Sequence, residues 1–150
     1  YIFLKRINLL DLPLIGILNL QGCKEIKNCY PNYIIPKHGC LKKWAKEEKI
    51  LLLNSVLTVE PNKSNSHKDL WLNFTNNLIK FININNENTI FLLMGAFAIN
   101  KSNLIDTNKH KIFTTIHPSP LSAYRGFIGC NVFKLINEHL QEQNKEIINY

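Results

Sequence analysis

Apolar residues along this chain fall into two patterns. Ile50 to Val59 is a nearly continuous apolar run, interrupted by Asn54, Ser55 and Thr58 and showing no helical period. Such a run predicts a strand covered on both faces. Thr89 to Met94, closed by Gly95, predicts a second strand. Lys111 to Ile116, β-branched and stopped by His117-Pro118, predicts a third. The other pattern is helical. Trp71, Phe74, Leu78 and Phe81 recur at three- and four-residue steps within Ser66 to Ile82, with Ser66 and Asp69 set as an N-terminal cap. Phe127, Val132, Phe133, Ile136 and Leu140 make a similar stripe within Gly126 to Gln143. Buried strands alternating with helices predict an α/β layered domain with a parallel sheet.

The length, 150 residues with 45% hydrophobic side chains, suits one domain that can bury roughly 70% of its unfolded surface without disulfides or metal. Cys23, Cys29, Cys40 and Cys130 form no CxxC pair, which favours reduced thiols and gives no zinc spacing. No apolar segment reaches the length of a membrane span, because Asp11 and Pro13 break Leu9 to Leu20. The net charge of +7 favours an anionic partner without naming it.

In an open α/β sheet, ligands bind beyond the carboxyl ends of the strands. Asn54, Gly95 and His117 fall at or near three such ends. An amide inside a leucine-rich run must find partners or cost roughly 1–3 kcal/mol, and it can also read the donor and acceptor edge of a base. His117 opens His-Pro-Ser-Pro-Leu-Ser-Ala-Tyr-Arg-Gly. There Pro118 and Pro120 stiffen a loop in which Ser119, Ser122 and Arg125 can meet phosphates and Leu121 can wedge into a base stack. That combination suggests base flipping.

Other residues carry less. His38 and Cys40 lack a second ligand pair; His67, His110 and His139 read as surface or cap residues; Lys42, Lys43 and Lys46 read as the solvated face of a helix with Trp44 and Ala45 inward. Neither a GxSxG elbow nor a phosphate-binding glycine loop is present.

These residues resemble the family 1 uracil-DNA glycosylases. Leu51 to Val59 is similar to that family's uracil-recognition strand and His117 to Gly126 to its DNA-intercalation loop. His38 to Ala45, Asn65 to Lys68, Phe91 to Gly95 and Ile148 to Tyr150 add support. The resemblance covers residues 25–150 and leaves 1–24 as a poorly matching segment. It implies a three-layer α/β/α domain around a mostly parallel four-stranded sheet, truncated at its N-terminal side. The implied activity is hydrolysis of the N-glycosidic bond of uracil flipped out of DNA, by a monomer that needs no cofactor or metal. Asn54 would bind uracil and His117 would donate to its oxygen as the catalytic group. Gly95, Pro118, Ser119, Pro120, Leu121, Ser122, Tyr124 and Arg125 would contact DNA. A nuclear location, with a mitochondrial form, is also implied.

The family's Gly-Gln-Asp-Pro-Tyr-His motif, which carries the water-activating aspartate, is not in this sequence, and Ala96 stands where a phosphate-binding serine is usual. Asp11, Asp69 and Asp106 lie in unrelated contexts. The alternative is therefore a non-catalytic DNA- or protein-binding fragment of the same fold.

Overall fold

The computed structural model describes residues 2–5, 20–38 and 40–150. Strands β1 (Ile2–Lys5), β2 (Ile50–Leu53), β3 (Ile90–Met94) and β4 (Lys111–Thr115) form one sheet in the order β2-β1-β3-β4. Helices α1 (Leu20–Cys29), α2 (Lys42–Lys46), α3 (Lys68–Asn85), α4 (Ala96–Ile99) and α5 (Val132–Glu142) accompany it.

The strands β2 and β3 are buried throughout, and their side chains alternate between two apolar layers. Ile50, Leu52, Ile90, Leu92 and Met94 pack with Trp44, Phe127, Phe133, Ile136 and Leu140. Leu51, Leu53, Phe91 and Leu93 pack with Ile79, Ile82, Ala98 and Ile105. Each such side chain contributes roughly 1.5–3 kcal/mol by leaving water. The expected three-layer arrangement follows, with α2 and α5 on one face of the sheet and α3 and α4 on the other.

Three of the four strands run the same way, but only β3 and β4 form a parallel ladder. β1 lies antiparallel between β2 and β3, with Ile2 opposite both Leu53 and Leu93 and Lys5 opposite Ile50 and Ile90. The chain therefore leaves β1 at the edge where β2 and β3 begin. Apart from Leu20, the poorly matching Leu12 to Leu20 stretch lies outside the described residues.

Several expectations need correction. The first strand stops at Leu53, which pairs with Ile2 of β1, and Leu57 and Val59 are exposed. On α3 the buried residues are Thr75, Ile79 and Ile82, while Phe74 and Phe81 are each 54% exposed. The helix is apolar on more than one side, so its stripe sits one position away from the predicted one. Ser66 does not cap α3; its Oγ accepts the Glu60 N–H at 2.7 Å, and His67 holds the N-cap position. The last helix begins at Val132 because Gly126, Gly129 and Asn131 take φ of +127°, +86° and +56°, outside helical space. His110 is buried rather than on the surface. Its Nδ1 accepts the Thr89 N–H at 3.3 Å and its Nε2 lies 3.0 Å from the Asn83 carbonyl, which joins the start of β3 to the end of α3.

Candidate functional site

β2, β3 and β4 share one direction, so Asn54, Gly95 and His117 emerge at the same edge of the sheet. With strands about 4.8 Å apart, three spacings place the axes of β2 and β4 roughly 14 Å from each other. A polar edge and an apolar sheet end meet there.

Asn54 directly follows the last residue of β2. Its Oδ1 is buried and makes no hydrogen bond, and the neighbouring Ser55 Oγ is in the same condition. Buried polar atoms are almost always paired, and an unpaired one costs roughly 1–3 kcal/mol. Two adjacent ones mark a place where the fold leaves acceptor capacity unspent.

The end of β4 differs. His117 Nδ1 accepts the Ser119 N–H at 3.1 Å, so in the neutral ring the proton resides on Nε2. Burial lowers the imidazole's pKa below its ordinary 6.5, which favours that neutral form. Ser122 Oγ donates to the His117 carbonyl at 2.8 Å and lies 3.0 Å from Ser119 Oγ. The two hydroxyls expected to meet phosphates thus brace the loop in this structure. The Ser122 hydroxyl proton ties the turn to the histidine's own backbone.

The loop is pinned from below by buried Pro118, Ala123 and Phe127, while Leu121 projects with 83% of its surface exposed. Pro120 is exposed beside it. Arg125 Nε donates to the Tyr124 hydroxyl at 3.0 Å and its guanidinium sits over the same ring, so both present an exposed cationic and aromatic face. Gly95, expected to grip a phosphate through its backbone, spends its N–H on the Thr115 carbonyl at 2.8 Å. Its carbonyl accepts from Ala98 and Ile99 at the start of α4.

Glu25 was not singled out by sequence, since a glutamate between Lys24 and Ile26 reads as solvated. It is fully buried. Oε2 accepts the Gly129 N–H at 2.5 Å and Oε1 the Asn131 N–H at 2.7 Å, with Cys29 Sγ and Cys130 Sγ at 3.6 and 3.7 Å. Burial pushes the Cys29 thiol up to about 11 and raises Cys130 as well, so both remain protonated donors to the carboxylate. Glu25 thus ties α1 to the segment through which the His117 loop enters α5.

Among the described residues no group of three or more His, Cys, Asp or Glu side chains is placed to hold a metal ion, and no helix is long and apolar enough to cross a membrane. Asp106 accepts the Asn108 N–H before β4, at the sheet edge opposite to His117.

A profile of the uracil DNA glycosylase superfamily matches residues 17–141. The uracil-DNA glycosylase of Francisella philomiragia is 47% identical over 128 residues, which cover 85% of this chain and 58% of that protein. That of Aliivibrio fischeri is 51% identical over 128 residues, covering 85% and 57%. Among solved structures, mimivirus uracil-DNA glycosylase superposes with a TM-score of 0.77 at 30% identity, over 85% of this chain and 52% of that one. The chain therefore spans a little over half the length of the proteins it matches. The expected nuclear and mitochondrial location is overturned, because relatives at 44–51% identity are proteins of bacteria, whose cells have no nucleus.

Proposed function

The chain belongs to the uracil DNA glycosylase superfamily, and on that premise we propose that it supplies the uracil-recognition and leaving-group side of a glycosylase that releases uracil from DNA. A planar base held between β2 and β4 meets the Asn54 amide on one side and the His117 imidazole on the other. The Asn54 amide pairs with the polar edge of uracil and disfavours cytosine, whose amine places a donor where uracil has an acceptor. His117, neutral with its proton on Nε2, donates to the uracil oxygen as the bond to the sugar breaks and negative charge builds on the base. Donors preorganised for developing charge are worth roughly 3–4 kcal/mol each.

Leu121 fills the stack that the base leaves, and Pro118, Ser119, Pro120, Ser122, Tyr124, Arg125 and Gly95 line the DNA side of the loop. The glycosylase portion is residues 25–150, acting as a monomer on uracil-containing DNA with no cofactor or metal. The single observation that carries this reading is the imidazole of His117, held in one neutral tautomer by the Ser119 N–H.

Two measurements test it. The 150-residue chain alone, which lacks the water-activating motif, should release uracil roughly 10²–10⁴-fold more slowly than an enzyme that has it. Release at full rate would show that another group activates water. In a form with full activity, His117→Leu should lower turnover roughly 10²–10³-fold while leaving DNA affinity nearly unchanged. Equal loss of both would make His117 structural.

A further inference from the structure

The end of β3 meets the side chain of His117 at a point where no β-carbon fits. Gly95 has φ of +88°, and a Cβ built on it would lie 2.9 Å from His117 Cβ, 3.3 Å from Cδ2 and 3.5 Å from Cα. The first distance is shorter than real carbon contacts allow. The flexible end of a long side chain could give way, but here the obstacle is the root of the imidazole, fixed by Pro118 on one side and β4 on the other. Gly95 is fixed too, because its N–H and carbonyl are both bonded. We infer that Gly95 is a positioning residue for His117: the bare Cα of β3's end is the wall against which the Cδ2–Nε2 edge of the ring is set.

This role rests on His117 acting at the site, and it differs from the phosphate contact expected of Gly95. A methyl group there would push the ring away from β3 by at least a few tenths of an ångström. The Nδ1 to Ser119 bond, which fixes the tautomer, would be strained in the same movement. Misplacement on the order of 1 Å can cost roughly 10²-fold in rate without loss of substrate binding.

Gly129 provides the control. Its φ of +86° is nearly that of Gly95, yet an added Cβ would meet nothing within 4 Å. Gly129→Ala therefore carries backbone strain alone, whereas Gly95→Ala carries strain plus the histidine contact. The test is carried out on the 150-residue chain with ¹⁵N-labelled histidine. In Gly95→Ala, the His117 ring resonances should lose the signature of an Nδ1 acceptor with an Nε2 proton, and the ring should titrate closer to 6.5. In Gly129→Ala both should stay as in the parent.

Should Gly95→Ala fail to fold, a double-mutant cycle with His117→Gly still decides the matter. Without the histidine side chain, Gly95→Ala should lower the unfolding midpoint no more than Gly129→Ala does. Unchanged His117 resonances in folded Gly95→Ala, or a cost of Gly95→Ala that is the same with and without the His117 side chain, would overturn the inference. Neither result depends on uracil release, so the glycosylase reading stands or falls separately by His117→Leu.

Discussion

The two sides of the site are built in opposite ways. From His117 to Asn131 the chain spends its polar atoms on itself: His117 on Ser119, Ser122 on the His117 carbonyl, Gly129 and Asn131 on Glu25. At Asn54 and Ser55 two adjacent buried oxygens remain unspent, whereas before His117 the one such atom at the end of β4 is Thr115 Oγ1. Segment 56–60 is held from outside, by Trp71 Nε1 donating to Thr58 Oγ1 at 2.7 Å, by His67 Nδ1 at 2.9 Å from the same oxygen, by the Ser66 hydroxyl and by the Glu60–Lys63 ion pair. A donor that must meet developing charge gains from being fixed before the base arrives. A recognition amide gains from keeping its valences for the base. Under the proposed function, stability and chemistry are aligned in the loop that starts at His117 and opposed at the end of β2.

Removing Glu25 should break the rigid side most severely. Glu25→Ala leaves two part-buried backbone N–H groups and two thiols without their carboxylate acceptor, and we expect a loss of roughly 2–4 kcal/mol in urea unfolding. A loss below 1 kcal/mol would mean that water replaces the carboxylate and that the loop is not held from below. Glu25→Gln, which keeps an acceptor oxygen, should recover part of the loss.

The recognition side should respond with the opposite sign. Asn54→Leu removes a buried unpaired oxygen, so the free protein should be unchanged or gain about 1 kcal/mol while uracil recognition is lost. Destabilisation by more than 1 kcal/mol would show that the amide supports the fold. Asn54→Asp should shift base preference towards cytosine, whose amine can donate to a carboxylate, and an unchanged preference would end the assigned role.

What the sequence revealed follows from what each signal depends on. β2 and β3 were legible because strands covered on both faces must be apolar at every position. β1 was not, since four residues at the start of a poorly matching segment carry no period, and its antiparallel direction depends on its partners. The face of α3 was misassigned because Leu70, Phe74, Phe81 and Ile84 lie outward while Ile79 and Ile82 lie inward, leaving periodicity nothing to choose by. His117 and its loop stood out in the sequence because hydroxyls, prolines, a leucine and an arginine rarely share ten residues. Glu25 and His110 were not, because their partners are backbone groups distant in sequence.

A smaller effect follows from pH. Burial lowers the folded-state pKa of His117 below 6.5, and His139 shifts the same way, chiefly through burial with Lys111 adding to it. Below about 6.5 the unfolded chain binds more protons than the folded one. Stability from these residues is therefore complete above 6.5 and declines as pH falls through the lowered values. Denaturant unfolding between pH 7 and pH 5 should show that decline, reduced in His117→Gln. A His117 that titrates above 6.5 by NMR would contradict the neutral ring on which the rigid side of the comparison depends.

Leu121 should show the least effect on folding and separate the two sides most cleanly. It is 83% exposed, yet it stands on a turn fixed by buried Ala123 and Phe127 and by the Ser119 and Ser122 bonds. Truncating an exposed side chain away from packing or capping changes stability by no more than about 0.5 kcal/mol. Leu121→Ala should therefore leave the unfolding midpoint where it was while weakening the grip on DNA with an extrahelical uracil, because the vacated stack then has no apolar filler. The same substitution should matter little for single-stranded DNA, in which no stack needs holding open. If affinity for duplex and single-stranded uracil DNA fell equally, Leu121 would be an ordinary contact and the rigidity of its loop would need another explanation.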